Sequence, residues 1–329
     1  MNLLKAENLM KYFPTGGGFF GRGKKFVHAV NGVSFELAKG ETLGIVGESG
    51  CGKTTLGNLL IHLLKPNAGK IFFDGQDISA VSKKKLRELR ARMQMIFQDP
   101  FASLNPRMQV GEIIEEPLII HKRGNAKQRE EEVAELLELV GLSADDYNKY
   151  PHEFSGGQRQ RVGIARAIAL KPDLIVADEP LSALDVSIQG EILNLFKKLQ
   201  KQFHLTTIFI SHDLKVVSQI SDRIAVMYLG KIVETFPAEQ LAYVQHPYTQ
   251  ALISAVPLPN PEHKIERIPL KGDVPSAILL STGCSFHPRC TYCEDLCVRT
   301  EPPLENHGRP DQQSACHFTN KVPKEMKIG

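Results

Sequence analysis

A glycine-rich loop near the start of the chain contains the first residues whose types and spacing could do chemistry. It consists of Gly47, Glu48, Ser49, Gly50, Cys51, Gly52, Lys53, Thr54 and Thr55. This run fits the pattern G-x-x-x-x-G-K-[ST], follows a strand-like segment over 42–46 and opens a helix-like segment over 54–64. Glycines let the backbone wrap phosphate groups, so that successive N–H groups point inward at the positive end of the helix. We expect Lys53 to bridge the β- and γ-phosphates of a nucleotide and the Thr54 hydroxyl to ligate Mg²⁺.

Two acidic residues end a second strand-like segment. Asp178 and Glu179 follow the apolar run 174–177. In open α/β sheets ligands bind at the carboxyl ends of the strands, so these carboxylates should emerge beside the phosphate loop. We expect Asp178 to hold Mg²⁺ and Glu179 to polarise the attacking water, as a general base or by positioning it. The alternative is a pair of surface acids that cap a strand.

Further residues complete a pattern that is known from one family. They are Gln98, Ser155, Gly156, Gly157, Gln158, Asp185 and His212. In this order and separation the chain resembles an ATP-binding-cassette (ABC) ATPase. The resemblance implies that Gln98 contacts Mg²⁺ and the attacking water, that Asp185 links the two active sites of a dimer, and that His212 hydrogen-bonds the γ-phosphate.

The Ser-Gly-Gly-Gln run at 155–158 matches the signature motif of that family. Its backbone N–H groups begin a helix, whose positive end can stabilise the γ-phosphate of an ATP held by the opposite subunit. Phe13 lies at the position of the family's aromatic residue that stacks on adenine. Tyr12 is the alternative, and an ordinary core aromatic is a third interpretation.

Longer runs narrow the resemblance to the ATPase subunits of bacterial dipeptide and oligopeptide importers. These runs cover residues 92–100, 103–108, 150–161, 182–187 and 246–249. The likeness is closest to the F-type member of the paired ATPases, which works beside a homologous D-type subunit. It implies that ATP binding closes a two-ATPase sandwich and that hydrolysis resets it, which energises peptide import through a membrane transporter. Residues 101–108 should then lie near the membrane partner.

The same resemblance implies a set of partners. They are a homologous second ABC ATPase in a heterodimer, two transmembrane permease subunits and, indirectly, an extracellular peptide-binding protein. The chain is expected on the cytoplasmic face of the cell membrane, as a peripheral protein. Another cargo, such as a nickel complex, glutathione or an oligosaccharide, stays open because the ATPase does not touch the cargo.

Two more distant functions are disfavoured by the sequence. A soluble ABC ATPase that acts on nucleic acid or ribosomes is disfavoured by the single motif set and by the absence of a strong basic patch. A regulatory binder that holds ATP without hydrolysing it is disfavoured by the intact Glu179 and His212.

The elements that must position these residues alternate between strand-like and helix-like segments over the first 235 residues. This alternation predicts an α/β fold with a mostly parallel core sheet. The family resemblance implies that this fold is a P-loop NTPase of the ABC ATPase type. We also expect the fold to include an N-terminal antiparallel β-subdomain, a helical insertion and a loop-rich, cysteine-containing C-terminal extension. Apolar residues at helical spacing over 110–120 and 128–140 indicate the insertion.

The predicted domain boundaries follow from this reading. Residues 1–236 form the ABC ATPase nucleotide-binding domain, with its helical subdomain at about 98–158. Residues 237–329 form the C-terminal extension typical of oligopeptide transporters. Prolines become more frequent beyond residue 237, and this composition predicts an extended, loop-rich segment.

Five of the six cysteines lie between residues 284 and 316. In a reducing compartment such clustering indicates metal or iron–sulfur ligation rather than disulfides. The family resemblance implies a 4Fe–4S cluster at Cys284, Cys290, Cys297 and Cys316, while tetrahedral zinc or no metal remain alternatives. Cys293 adds a fifth thiol and leaves open which one is spare. The role is expected to be structural, since the nucleotide motifs are complete without it.

Composition bounds the remaining possibilities. The chain has 329 residues, of which 42% are hydrophobic and 23% are charged. Forty basic and 37 acidic residues leave a net charge of +3, too small to argue for a nucleic-acid partner. No apolar run approaches the roughly 18–20 residues that cross a bilayer. The first residues lack the features of a signal peptide, so we expect the protein to remain in the cytoplasm.

Overall fold

The computed structural model describes residues 2–15, 25–255, 268–270, 272, 275–278, 282–323 and 325–326. The strands over these residues are β1 (Asn2–Thr15), β2 (Lys25–Ala38), β3 (Thr42–Val46), β4 (Ala68–Phe73), β5 (Gln76–Asp77), β6 (Met93–Ile96), β7 (Leu174–Asp178), β8 (Thr206–Ser211), β9 (Arg223–Tyr228), β10 (Lys231–Pro237) and β11 (Gln313–Ser314). The α-helices are α1 (Lys53–Leu60), α2 (Lys83–Arg92), α3 (Pro100–Ser103), α4 (Val110–Ile120), α5 (Ala126–Leu139), α6 (Gly156–Ile168), α7 (Val186–Phe203), α8 (Leu214–Ile220), α9 (Pro247–Ser254) and α10 (Asp295–Arg299). Short 3₁₀ helices cover Ala144–Asn148, Pro151–Glu153, Ala238–Tyr243, His287–Arg289 and Thr319–Lys321.

The chain divides into two compact units. The helical unit comprises residues 38–41 and 80–210, and the β-rich unit comprises the described parts of 2–37, 42–79 and 211–329.

The helical unit contains three parallel strands and a group of helices. Met93 of β6 lies opposite Leu174 of β7, and Leu174 lies opposite Thr206 of β8, which belongs to this unit as far as Ile210. All five residues of β7 are buried, as expected for a central parallel strand. Helices α4 and α5 pack on each other and on α6. This arrangement confirms the predicted parallel strands and helical insertion.

Helix α5 begins two residues before the predicted segment because of a local cap. The Asn125 side chain accepts a hydrogen bond from the backbone N–H of Gln128, and the Gln128 side chain accepts one from the backbone N–H of Asn125. This reciprocal capping satisfies two backbone donors that the helix itself cannot pair.

The β-rich unit contains two groups of strands. One is a sheet of order β2-β1-β4-β5, in which β4 pairs antiparallel with both neighbours. In the other, β3 pairs parallel with β9, β9 pairs antiparallel with β10, and β10 pairs antiparallel with β11. The first sheet confirms the predicted antiparallel subdomain. All five residues of β3 are buried, so the strand before the phosphate loop is held on both faces.

Helix α1 is shorter than the sequence predicts. It ends at Leu60 rather than at residue 64, because His62 adopts a left-handed backbone conformation with φ 56°. The N–H groups of Leu63 and Leu64 both turn back to the carbonyl oxygen of Asn58, at 2.8 and 3.0 Å. A left-handed residue of this kind commonly terminates a helix.

The described part of the C-terminal extension has little regular structure. Helix α9 has eight residues and α10 has five. The proline-rich stretch 257–261 lies outside the described residues.

Candidate nucleotide-binding site

The phosphate loop has a backbone conformation that only glycine adopts readily. The φ angles are 156° at Gly47, 78° at Gly50 and 106° at Gly52. A Cβ atom at Gly47 would lie 2.2 Å from the carbonyl oxygen of Met227, and one at Gly52 would lie 1.9 Å from that of Ala29. The loop therefore lies against neighbouring backbone at Gly47 and Gly52, where glycine is needed both for its conformation and for its lack of a side chain, whereas Gly50 is needed for its conformation alone. Such a cradle at the start of α1 fits a phosphate group.

The loop lysine lies inside this cradle. Lys53 is buried, and its Nζ donates hydrogen bonds to the carbonyl oxygens of Gly47 at 2.8 Å and Glu48 at 3.1 Å. Thr54 is exposed, so its side chain is accessible to a ligand. Cys51 is buried, and burial raises the pKa of its thiol. A protonated, buried thiol acts as a small packing residue rather than as a nucleophile.

The carboxylates at the end of β7 have a distinctive geometry. Asp178 is buried, and Glu179 adopts a left-handed conformation with φ 44°. The backbone N–H of Glu179 donates to the carbonyl oxygen of Ile210 at 2.9 Å, which fixes that conformation. Gln98 Nε2 donates a hydrogen bond to Glu179 Oε2 at 3.2 Å, although the two residues are 81 positions apart. Left-handed residues other than glycine are uncommon and cluster at functional sites.

The signature run forms the exposed start of α6. Ser155 Oγ accepts a hydrogen bond from the backbone N–H of Gln158 at 3.3 Å, and Gln158 Oε1 accepts one from the N–H of Ser155 at 2.9 Å. Both side chains are exposed. A Cβ atom at Gly157 would lie 2.6 Å from Cγ2 of Ile188, so this glycine lets α6 approach α7 closely. The start of α6 thus presents a helix N-terminus to solvent.

Asp185 and His212, the remaining two positions of the nucleotide motifs, also lie at the surface. Asp185 is exposed immediately before α7. His212 is exposed between β8 and α8. The loop around it is fixed, because Ser211 Oγ accepts from the N–H of Asp213, whose carboxylate in turn caps α8. His212 and the phosphate loop belong to the β-rich unit, whereas Gln98, the β7 carboxylates and the signature run belong to the helical unit.

Comparison with known proteins decides the family. The ABC transporter family model matches residues 30–182, and the model of the oligopeptide/dipeptide transporter C-terminal region matches residues 233–297. The oligopeptide transport ATP-binding protein AppF of Bacillus subtilis (strain 168) is 53% identical over 320 residues, covering 96% of this chain and 97% of that protein. The chain belongs to the oligopeptide/dipeptide branch of the ABC transporter ATP-binding proteins. The dipeptide transport ATP-binding protein DppF of Haemophilus influenzae is 48% identical, covering 93% of each chain.

Solved ABC cassettes share the fold. The ATP-binding cassette MJ0796, in a dimeric post-hydrolysis state bound to ADP and Pi, matches with a TM-score of 0.64 and 30% identity, covering 71% of this chain and 98% of its own. CbiO1 of Clostridium perfringens, part of an ABC transporter complex, matches with a TM-score of 0.63 and 28% identity, covering 73% and 90%. The predicted ABC ATPase fold is confirmed.

The two candidates for the adenine-stacking residue differ in their surroundings. The Tyr12 ring packs against Phe26, with centroids 5.4 Å apart, and against His28 at 5.7 Å. Phe13 is 37% exposed, and Lys11 Nζ lies 5.3 Å from the centroid of its ring. Phe13 is therefore the more accessible of the two rings for a base to stack on.

The predicted cysteine ligands are gathered in one part of the C-terminal extension. The N–H of Cys284 donates to the carbonyl oxygen of Cys297 at 2.8 Å. Burial, and then the thiols of Cys297 and Cys290, raise the pKa of Cys284 to about 11. Burial, and then the thiol of Cys284, raise the pKa of Cys316 to about 12. Cys293 is exposed. Within the described residues, however, no three cysteine, histidine or acidic side chains are placed so that they could hold a metal ion.

Two contacts of the phosphate loop were not predicted from the sequence. Tyr248 Oη accepts a hydrogen bond from the backbone N–H of Glu48 at 2.9 Å, and Arg289 donates two hydrogen bonds to the Glu48 carboxylate. Both residues come from the C-terminal extension. Glu48 and Arg289 are 241 positions apart, and no local pattern links them.

Over the described ranges, no helix combines the length and the apolarity that a bilayer-spanning helix needs.

Proposed function

We propose that this chain is the ATP-hydrolysing subunit that energises the import of di- or oligopeptides through a membrane ABC transporter. One observation carries the proposal: a chain with every nucleotide motif is 53% identical, over 96% of its length, to a protein named for oligopeptide transport. The match to the oligopeptide/dipeptide transporter C-terminal region, over 233–297, supports the same cargo class.

The nucleotide is bound first by the phosphate loop. Backbone N–H groups of residues 47–55 surround the β- and γ-phosphates, and Lys53 supplies a positive charge. Thr54, Gln98 and Asp178 would hold Mg²⁺, which neutralises negative charge on the phosphates when it is bound. Phe13 stacks on the adenine. The buried ammonium of Lys53 and the exposed Thr54 support these roles.

Hydrolysis depends on Glu179. A water molecule attacks the γ-phosphorus, the bond to the bridging oxygen breaks, and ADP and phosphate leave. Glu179 accepts the proton of that water or orients it, and the hydrogen bond from Gln98 at 3.2 Å holds the carboxylate in one orientation. His212 donates a hydrogen bond to the γ-phosphate. The left-handed backbone at Glu179 supports this assignment, because such conformations persist where function requires them.

A second ATPase subunit completes each site. The exposed start of α6, with Ser155 and Gln158 at its surface, is suited to contact the γ-phosphate of an ATP held by the opposite subunit. Asp185, exposed before α7, links the two sites. The dimeric form of the matched cassette MJ0796 supports this arrangement. We propose a homologous D-type subunit as the partner, in a heterodimer.

Two permease subunits dock on the helical unit. Phe97 and Phe101 are 41% and 62% exposed, and Phe101 begins the segment 101–108 that we expect near the membrane partner. Exposed aromatic side chains of this kind are typical of protein contact surfaces. The chain thus works as a peripheral protein on the cytoplasmic face of the membrane, and it reaches the extracellular peptide-binding protein only through the permease.

The proposed domain division follows function rather than compactness. Residues 1–236 form the nucleotide-binding domain, with its helical subdomain at about 98–158. Residues 237–329 form the C-terminal extension. The family-model boundaries at 182 and 233 support a separate C-terminal segment.

We also propose that the extension carries a 4Fe–4S cluster on Cys284, Cys290, Cys297 and Cys316, with zinc as the alternative. The backbone hydrogen bond between Cys284 and Cys297 supports it, as does the burial of Cys297 and the partial burial of the other three cysteines. Anaerobic purification followed by iron, sulfide and zinc analysis tests this. Four iron atoms per chain are expected, about one zinc ion would favour the alternative, and a metal-free chain would exclude both.

Affinity purification from native membranes tests the transport proposal. The Glu179→Gln chain is solubilised in detergent with Mg-ATP, and the recovered partners are identified by mass spectrometry. We expect a second ABC ATPase and two multi-spanning permease subunits, with less of the second ATPase in a matched sample without nucleotide. Recovery of ribosomal or DNA-binding proteins without a membrane partner would overturn the proposal.

A further inference from the structure

Two residues of the C-terminal extension form hydrogen bonds with Glu48 of the phosphate loop. Arg289 Nη1 and Nη2 donate hydrogen bonds to the two carboxylate oxygens of Glu48, at 2.6 and 3.0 Å. The backbone N–H of the same Glu48 donates to Tyr248 Oη at 2.9 Å. One loop residue is therefore held by its side chain and by its backbone, from two separate points of the extension.

The arginine in this pair is deeply buried. The Arg289 side chain is 6% exposed and the Glu48 side chain is 25% exposed. The hydrogen bonds to Glu48 raise the pKa of Arg289 above its ordinary value, so the guanidinium is charged at any physiological pH. A buried bidentate pair of this kind is strongly directional, and loss of one member leaves the other charge uncompensated.

The two residues that contact Glu48 pack on an aromatic cluster, which we define as Tyr228, Tyr248 and Phe286. The Tyr228 ring centroid lies 4.7 Å from that of Tyr248 and 5.3 Å from that of Phe286, and all three rings are buried. The Arg289 guanidinium carbon lies 6.0 Å from the Tyr228 centroid. Closely packed rings have little freedom to shift, so the cluster fixes where Arg289 and Tyr248 meet the loop.

Charge explains why a phosphate-binding loop needs this arrangement. Glu48 is an acidic residue within a loop that receives the phosphates of a nucleotide. A bare carboxylate there would repel the phosphates and would be costly to bury partly. Arg289 neutralises that carboxylate and fixes its orientation by donating a hydrogen bond to each of its oxygens.

We propose that Arg289 is a positioning residue for ATP: by neutralising and orienting Glu48, it holds the phosphate loop in its binding conformation, so that the C-terminal extension sets the affinity for nucleotide. This inference rests on the proposed binding of ATP by the loop. Arg289 acts through Glu48 and does not itself touch the reacting atoms. Because Arg289 directly precedes Cys290, the segment that bears the cysteines also carries this contact.

Three variants of the full chain test the inference: Arg289→Gln, Glu48→Gln and the double variant. Binding of the non-hydrolysable analogue AMP-PNP is measured with Mg²⁺ by calorimetry. Arg289→Gln should raise the dissociation constant roughly tenfold or more, since it leaves the Glu48 carboxylate unpaired. The double variant, which removes that carboxylate as well, should recover most of the lost affinity. In steady-state assays Arg289→Gln should raise KM far more than it lowers kcat.

Two controls separate positioning from general destabilisation. Arg129→Gln breaks the Arg129–Glu115 ion pair, which has a 2.7 Å contact and comparably buried side chains but lies in the helical unit. It should leave AMP-PNP binding unchanged. Arg289→Lys keeps the charge but loses the bidentate geometry, and it should give an intermediate loss of affinity even if Arg289→Gln folds poorly.

The outcomes are distinguishable. Wild-type affinity in Arg289→Gln and Arg289→Lys would overturn the inference, and so would a double variant that binds as weakly as Arg289→Gln, because packing alone would then explain the loss. Failure of the wild-type chain to bind AMP-PNP would instead refute the proposed function.

Discussion

Glu179 combines a left-handed backbone with a side-chain hydrogen bond from Gln98, at the end of a buried strand. The strand β7 is fixed by its neighbours, and the N–H of Glu179 is fixed by the carbonyl oxygen of Ile210. The carboxylate therefore needs little reorganisation before it can orient a water molecule. Catalytic groups gain most when such orientation is settled before the substrate arrives.

Replacing Glu179 by glutamine tests that role at the scale of one residue. Glutamine keeps the shape of the side chain but cannot accept a proton from water. We expect ATP turnover to fall roughly a hundredfold or more, while AMP-PNP binding is unchanged. Glu191→Gln, which changes an exposed carboxylate on α7, should leave turnover at the wild-type rate. Continued turnover in Glu179→Gln would remove Glu179 from the mechanism.

At the scale of elements, helix α6, whose start carries the signature run, contacts the exposed aromatic residue Phe101. The Arg159 guanidinium carbon lies 3.6 Å from the centroid of the Phe101 ring, a close cation–π contact. Arg159 is buried on α6, and its Nε donates to the carbonyl oxygen of Pro151 at 2.6 Å. A force on the Phe101 ring would thus be passed to the helix whose start carries the signature run.

Truncating Phe101 to alanine should uncouple the permease from the ATPase. Because Phe101 is 62% exposed, we expect the free energy of unfolding to change by less than about 1 kcal/mol and basal ATP hydrolysis to be retained. Stimulation of hydrolysis by the assembled permease should be lost. The measurement compares hydrolysis of the chain alone with that of the reconstituted complex. Leu63→Ala, an exposed apolar truncation in the β-rich unit, is the matched control. Full stimulation in Phe101→Ala would exclude this contact route.

Sequence predicted the elements whose signals are local. The phosphate loop and α4 were recognised because the glycine pattern and the apolar spacing lie in consecutive residues. The predicted end of α1 was wrong, since nothing in the sequence announces the left-handed turn at His62. The Glu48–Arg289 pair could not be predicted, because its members meet only through tertiary packing.

At the scale of the whole molecule, one buried carboxylate makes stability depend on pH. Glu234 on β10 is fully buried, and burial raises its pKa to about 7. Its Oε1 accepts hydrogen bonds from the N–H groups of Gln245 and His246 and from Gln312 Nε2. These contacts join β10 to the C-terminal extension. Burial also lowers the pKa of His246 to about 3, so that this neighbour is neutral above that pH.

The sign of the pH effect follows from the raised pKa. The folded chain holds the Glu234 proton more tightly than the unfolded chain, whose glutamate has the ordinary pKa of 4.5. The contribution of Glu234 to the free energy of unfolding is therefore fully present below pH 4.5 and is lost as the pH rises to about 7. The loss is on the order of 3 kcal/mol.

Glu234→Gln should remove this dependence, because glutamine is neutral at every pH. Urea unfolding at pH 5 and pH 8 provides the measurement, and His246 contributes equally to both proteins. We expect the variant to gain stability relative to wild type between pH 5 and pH 8. Glu239→Gln, an exposed carboxylate nearby, should show no such gain. A constant difference between Glu234→Gln and wild type at both pH values would contradict the prediction.

Peptide uptake into proteoliposomes tests the central claim most directly. The chain is reconstituted with its permease subunits and second ATPase, and accumulation of a labelled oligopeptide is followed with and without ATP. The account predicts ATP-dependent accumulation with the wild-type chain and none with Glu179→Gln. Equal uptake with both chains, or full ATP hydrolysis without any peptide uptake, would contradict it.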